Sequence, residues 1–318
     1  MRIAVLNNLR AGRNRAEVTK ILSLLRSYPD VLHIETDSAR ALPEALAEIA
    51  RQNVNLLVLN GGDGTLQYAL TEILSGRGFD RAPMLAPLRG GRTNMTATDL
   101  GARRNPVRGL RDLLEDVRAG RLSERIVDRS VLRIETRKVR DIQYGMFFGA
   151  GMLHRAIELT HRLFPSGRSQ GVFGAGVVTG GLLLRASLSH RKGVLKPDKI
   201  QILLDGEMVP HGEFYLVMAS TLDNLFLRMN PFWGSGPGHV RFTSLATNAE
   251  RVWAAIPGIL RGKVKDWATP ERGYTSVNAA RSELHLNCGF TVDGEIFEPV
   301  NDEMVSITAD RRISFVRA

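Results

Sequence analysis

The sequence predicts two domains: an α/β domain on a parallel sheet over residues 1–125, then a mainly β sandwich over residues 126–318, its last strands candidates to return to the first domain. Three observations predict this. At 318 residues the chain exceeds the size at which one hydrophobic core usually keeps growing. Its first third alternates short apolar runs with helical spacings, the pattern of strands joined by crossover helices. After residue 125 the segments become short, β-rich and bounded by turns.

In the first domain, residues 2–6 read as a strand, and 13–28 as a helix with apolar positions at Val18, Ile21, Leu22 and Leu25. Residues 31–35 read as a strand, 41–51 as an alanine-rich helix, and 55–59 as an apolar strand running straight into glycines. A helix over 66–74, a strand over 84–88 and a helix over 107–117 complete it. Such a Rossmann-like layout gathers ligands at the carboxyl ends of its strands. In the second domain the predicted strands are 126–136, 143–149, 200–205, 213–219, 239–244, 283–293 and 304–316, with helices over 154–163 and 171–190.

Composition narrows the partners. Apolar residues at 43% and charged residues at 24% suit a folded globular chain. The net charge of +10, carried mostly by arginine, points to phosphate-bearing partners: nucleotides, nucleic acids or an anionic membrane surface. The opening run Met1-Arg2-Ile3-Ala4-Val5-Leu6-Asn7 is too short for a secretory signal, so a cytoplasmic protein is expected. The apolar stretch 171–184 falls below the roughly 20 residues that span a bilayer. The single cysteine, Cys288, excludes an internal disulfide and a cysteine-based zinc cluster, and reads as a buried strand thiol.

The segment Asn60-Gly61-Gly62-Asp63-Gly64-Thr65 lies between the third strand and the next helix. Glycines there let backbone amides approach phosphate oxygens. A carboxylate beside phosphates is tolerated most simply if Asp63 holds Mg²⁺ directly or through water. The competing reading is an Asp-Gly turn with Thr65 capping the helix.

The segment resembles the Gly-Gly-Asp-Gly-Thr nucleotide-binding motif of the diacylglycerol kinase catalytic family, which includes sphingosine and ceramide kinases and is related more distantly to NAD kinases. The family's Asn-Pro-x-Ser/Ala-Gly block is matched by Asn8-Leu9-Arg10-Ala11-Gly12, with leucine for proline. Its Gly-Thr-x-Asn-x-x-Ala-x-x-Leu-Gly block is matched by Gly91, Asn94, Ala97, Leu100 and Gly101, with Arg92 at the threonine position and Thr93 one place on. The resemblance implies an NAD kinase/diacylglycerol kinase-like first domain that binds ATP with Mg²⁺. It places Asn8, Leu9, Arg10, Ala11, Gly12, Thr36, Gly61, Gly62, Asp63, Gly64, Thr65, Leu66, Gln67, Arg92, Thr93 and Asn94 at the nucleotide, with Asp63 at the metal. An arginine at position 92 would replace the threonine hydroxyl by charge-assisted hydrogen bonds. Pro237 stands where several bacterial members carry the aspartate of a structural magnesium site, so that site is expected to be absent.

Two Asp-Gly-Glu triplets remain. Asp205-Gly206-Glu207 reads as an ordinary hairpin turn. Asp293-Gly294-Glu295 admits the same reading, but it matches the family's C-terminal acidic block, which implies Glu295 as proton acceptor with Asp293 orienting it, binding Mg²⁺ or sharing the role. Over 171–190, apolar residues run into Arg185, His190, Arg191 and Lys192, with Lys196 beyond, as suits a helix lining an acyl pocket and leaning on anionic headgroups. An ordinary buried helix with a basic C-terminus fits as well.

The reading that follows is a lipid kinase acting on a primary hydroxyl of a two-chain lipid, diacylglycerol or a ceramide-type acceptor. It would be peripheral at the inner face of the membrane, with no specific nucleic acid partner and a homodimer left open. The alternatives are a soluble NAD-kinase-like enzyme and an inactive lipid- or nucleic-acid-binding protein. A Walker lysine loop and the protein-kinase signatures are missing.

Overall fold

The computed structural model describes residues 1–12, 14–163, 196–298 and 300–318. It divides into two compact units: Met1–Ser130 with Arg312–Ala318, and Val131–Arg311. The predicted helix 171–190 and its cations up to Lys192 lie outside the described residues.

The first unit is α/β. Its strands are β1 (Ile3–Asn8), β2 (Val31–Thr36), β3 (Leu56–Gly61) and β4 (Met84–Arg89). The helices are α1 (Asn14–Leu25), α2 (Leu42–Arg51), α3 (Asp63–Leu74), α4 (Met95–Asp99) and α5 (Pro106–Arg118). β1 and β3 are buried almost throughout, which is why they read as unbroken apolar runs rather than alternations. α2 buries Leu42, Ala45, Leu46 and Ile49, one stripe at helical spacing. Asn105 starts α5 by accepting a hydrogen bond from the Arg108 N–H at 2.9 Å, with Pro106 at the first helical position. The sequence predicted α5 at 107–117 but not α4, whose five residues are too few to show a period.

The strands run parallel in the order β2-β1-β3-β4, with Asn8 opposite Thr36 and Gly61 opposite Arg89. The C-terminal strand, Glu303–Val316, adds its end to β4 in parallel through Phe315 and Leu85. The carboxyl ends of all these strands therefore lie along one edge. The order reverses at β1, so the crevice between the ends of β1 and β3 is the topological switch point of the sheet.

The second unit is strand-rich. It holds β5 (Ile126–Thr136, entered from the first unit), β6 (Ile142–Gly145), β7 (Phe147–Gly151), α6 (Met152–Leu163), β8 (Asp198–Leu204), β9 (Glu207–Met208) and β10 (Glu213–Ser220). There follow β11 (Val240–Ala246), α7 (Val252–Ile259), β12 (Tyr274–Ala279), β13 (Arg281–Leu286), β14 (Phe290–Val292), β15 (Glu295–Phe297) and β16 (Glu303–Val316). One antiparallel set runs β15-β14-β7-β10-β11-β12, and another places β13 between β8 and β16. Their inward residues, among them Phe148, Phe214, Phe242, Ile202, Leu284 and Ile307, form one core, as in a sandwich.

The predicted strand 283–293 is in fact two strands in different sets. β13 pairs β8 and β16, while β14 pairs β7 and β15. The chain changes over at Asn287-Cys288-Gly289, where a Cβ on Gly289 would overlap the His154 ring. Cys288 is buried, but in this changeover rather than in a strand, and burial pushes its thiol up to about 11. Helix α7 and strand β12 were not predicted. Among the described residues no helix is long and apolar enough to cross a membrane.

Candidate nucleotide site and acidic hairpin

In the first unit, the loops following β1, β3 and β4 converge at the switch point. Gly62 opens α3 in an extended conformation with no side-chain cap, and the first intrahelical bond is Leu66 N–H to the Gly62 carbonyl at 3.2 Å. The N–H groups of the first turn thus have no helical partner, and with the positive end of the helix dipole they form a place for an anion. Gly61 and Gly91 are held to glycine by space rather than by backbone conformation, since neither takes a positive φ. A Cβ on Gly61 would come within 2.6 Å of the Thr65 hydroxyl, and one on Gly91 would overlap the Gly62 backbone. The β3 and β4 loops therefore pack backbone to backbone.

The remaining motif residues lock this arrangement. Asn94, in the left-handed region at φ 50°, brackets Gly91: its Oδ1 accepts from the Gly91 N–H at 2.7 Å and its Nδ2 donates to the Gly91 carbonyl at 2.8 Å. Asn8 Nδ2 donates to the Thr65 hydroxyl at 2.8 Å, and its Oδ1 accepts from the Arg10 N–H at 3.0 Å. Arg92 reaches back to the β1 loop, so that a Cβ on Gly12 would meet its Cγ at 2.7 Å. The guanidinium-bearing side chain thus lies over the loop that contains Leu9, Ala11 and Gly12. Thr93 is partly exposed on the same loop as Arg92.

Asp63 is the half-buried carboxylate of the group. Its oxygens accept from the Met95 N–H at 3.1 Å and the Thr96 N–H at 3.2 Å, which ties the start of α3 to the start of α4. Burial raises its pKa above the ordinary 3.8, while these backbone donors act in the opposite direction. Sequence reasoning missed the two amides because α4 itself gave no signal.

Other predicted residues sit deeper. Thr36 ends β2, its carbonyl accepting from the Leu9 N–H at 2.8 Å, and its hydroxyl is buried without a hydrogen-bond partner. Leu66 and Gln67 are buried on α3, and the Gln67 amide donates to Thr71 at 3.2 Å. Beneath the loops runs an unpredicted polar chain: Asn60 Nδ2 donates to Asn7 Oδ1 at 2.8 Å, and Asn7 Nδ2 lies 2.6 Å from His33 Nε2. Burial lowers the His33 pKa against the opposite pull of Glu35, which suits an imidazole nitrogen accepting that bond. A cavity of about 550 Å³ in this unit lies elsewhere, at the amino edge of the sheet, bordered by Asn55, Arg81, Met84 and Arg312.

In the second unit, Asp293 and Gly294 form the two-residue turn between β14 and β15, with φ of 49° and 91°. Asp293 is buried: Oδ2 accepts from the Met146 N–H at 2.8 Å and Oδ1 from the Phe147 N–H at 2.9 Å. Asp205 and Gly206 make the same turn between β8 and β9, with φ of 52° and 88°. The Asp205 carboxylate likewise takes two successive amides, Ala280 N–H at 3.2 Å and Arg281 N–H at 2.8 Å. The two triplets are thus one device used twice, once at the surface and once buried. Glu295 differs from both aspartates in being exposed at the start of β15.

Residues 2–124 match the family model of the diacylglycerol kinase catalytic domain. The whole chain superposes on a diacylglycerol kinase from Bacillus anthracis str. Sterne with a TM-score of 0.63, covering 97% of that chain at 15% identity. It also superposes on an NAD kinase from Archaeoglobus fulgidus, solved in complex with ATP, with a TM-score of 0.50, covering 94% of that chain at 12% identity. At these identities the structures establish the fold alone. No curated protein matches the chain. The family match supports a kinase, and the fold is the diacylglycerol kinase and NAD kinase fold with a strand-rich second part.

Proposed function

With residues 2–124 matched to a diacylglycerol kinase catalytic domain as the premise, we propose that the protein transfers the γ-phosphate of ATP to the primary hydroxyl of a two-chain lipid, diacylglycerol or a ceramide-type alcohol. The observation that carries the nucleotide half is the packing of Gly91 on Gly62, which joins two phosphate-cradling loops at the switch point of the sheet. The first-turn amides of α3 hold phosphate oxygens, and Arg92, lying over Gly12, adds the positive charge that the missing threonine would not.

Asp63 is the carboxylate that would hold Mg²⁺. Among the described residues no group of three His, Cys, Asp or Glu could hold a metal, so a magnesium ion there would rely on one carboxylate, water and the phosphates, which suits that cation. When bound, the ion neutralises charge on the phosphates.

In the reaction the lipid hydroxyl oxygen forms a bond to the γ-phosphorus, the bond from that phosphorus to the β,γ-bridging oxygen breaks, and ADP leaves. The hydroxyl proton passes to Glu295, whose exposed carboxylate is unencumbered by the amide bonds that occupy Asp293. Asp293 acts as a positioning residue, fixing the hairpin that bears Glu295. A lipid acceptor implies a working position on an anionic membrane surface, peripheral at its inner face.

The test is transfer of label from γ-labelled ATP to diacylglycerol, ceramide and NAD side by side, with Asp63→Ala and Glu295→Ala as controls. Labelling of one of the two lipids, lost in both variants, is the expected result. Labelling of NAD alone, or of no acceptor while lipid or DNA is still bound, overturns the proposal.

A further inference from the structure

The second unit carries a surface that the phosphotransfer chemistry leaves unused. Helix α7, Val252–Ile259, contains no charged side chain, and its one polar side-chain group is the Trp253 indole N–H, yet it is not enclosed. One side is anchored: Ala255 packs in a small core with Ala268 and Tyr274, and Ile259 and Trp267 lie against it. The other side presents Trp253, Pro257 and then Leu260, spaced four and three residues apart on one stripe, with Trp253 66% and Leu260 40% exposed.

A second apolar prong stands beside it. The Asn230 N–H donates to the Leu260 carbonyl at 3.0 Å, which seats the 225–230 loop against the end of α7. In that loop Leu227 is 66% exposed and held at φ 55°, a conformation costly for a leucine. Tryptophan and two leucines left in water on neighbouring segments, one of them on a strained backbone, form a grouped apolar surface rather than scattered exposure.

The charge around the stripe identifies the occupant. Over residues 250–266 there are four cations, Arg251, Arg261, Lys263 and Lys265, against two acids, Glu250 and Asp266. Arg228 adds a fifth exposed cation next to Leu227. Apolar side chains with tryptophan at their edge, ringed by lysine and arginine, match the boundary between acyl chains and anionic headgroups. Nucleic acid would use the cations but leave the apolar stripe in water.

We propose that α7 and the Leu227 loop dock the protein on an anionic bilayer, with Trp253, Leu260 and Leu227 entering the headgroup region and Arg261, Lys263 and Lys265 pairing with lipid phosphates. The inference rests on the lipid-kinase reading only in making a bilayer the relevant surface.

The test uses the full chain and co-flotation with phosphatidylcholine vesicles, with and without phosphatidylglycerol. Wild type floats with the anionic vesicles, and bromolipid quenching of tryptophan fluorescence is lost in Trp253→Phe. The double variant Trp253→Ser with Leu260→Ser binds at least about tenfold more weakly. The triple charge reversal Arg261→Glu, Lys263→Glu and Lys265→Glu abolishes the preference for anionic vesicles. Equal flotation of wild type and both variants overturns the proposal. So does a wild-type dimer that the serine variant converts to monomer without change in flotation, since a second copy would then cover the face.

Kinase assays separate this from the catalytic reading. Variants that fail on vesicles but phosphorylate a dispersed short-chain diacylglycerol at the wild-type rate support docking. Wild-type protein that floats through Trp253 but phosphorylates neither lipid form sinks the kinase reading and leaves the docking surface standing.

Discussion

Gly91 stands so close to Gly62 that a single added methyl group would overlap the Gly62 α-carbon. Four bonds maintain the approach: the two between Asn94 and Gly91, and the two that the Asp63 carboxylate accepts from the Met95 and Thr96 amides. The loops after β3 and β4 are therefore a joint, and each should respond to damage in the other. Gly91→Ala should force the loops apart and lower kcat/KM for ATP by about a hundredfold, the scale of an ångström-sized misplacement. Thermal unfolding and ATP titration calorimetry on the same sample check that the loss is in binding and turnover rather than in folding.

Arg92 lies over Gly12, where the family pattern has threonine at position 92. Arg92→Thr should raise KM for ATP by about tenfold, equivalent to one lost charge-assisted hydrogen bond, and affect ADP less. Competition by ADP against ATP in the labelled-transfer assay reads this directly. Equal weakening of both nucleotides would place the arginine away from the γ-phosphate.

The acidic hairpin should divide stability from chemistry. Asp293→Ala leaves the Met146 and Phe147 amides without their acceptor in a buried place, at a cost of about 2–4 kcal/mol, whereas Asp205→Ala at the surface should cost about 1 kcal/mol or less. Glu295→Gln, at an exposed position, should leave stability unchanged and reduce turnover by orders of magnitude. Denaturant unfolding beside initial rates for the three variants checks the division. Near-normal turnover in Glu295→Gln would remove it as the base.

His154 supplies a pH dependence in the second unit. Burial lowers its pKa below the ordinary 6.5, outweighing Glu158, Glu298 and Asp198, which act the other way, and its Nε2 has no hydrogen-bond partner against Gly289. A depressed folded value means that the neutral ring's contribution to stability is present above 6.5 and is lost as pH falls through the folded value. Wild-type protein should therefore lose stability between about pH 7 and pH 5, and His154→Leu should lose less over the same interval. Urea unfolding at the two pH values measures the difference.

What the sequence determined by itself is the set of features that need only a period or a short motif. Strands β1 and β3, whose runs 3–6 and 56–59 are apolar because both faces are covered, could be read directly, as could α2, α5 and the glycine-rich loop between β3 and α3. Tertiary structure decided the rest, because the deciding contacts join residues far apart in the chain. The partners of Asp63 are amides 32 and 33 residues away, on a helix too short to announce itself. The glycine at position 91 is explained only by Gly62 opposite it. The run 283–293 reads as one strand because both halves are apolar, yet it serves two sheets, and the changeover at Cys288 and Gly289 packs against His154 from another element. Local pattern records which face of a segment is dry, whereas only the assembled fold supplies the partner on the other side.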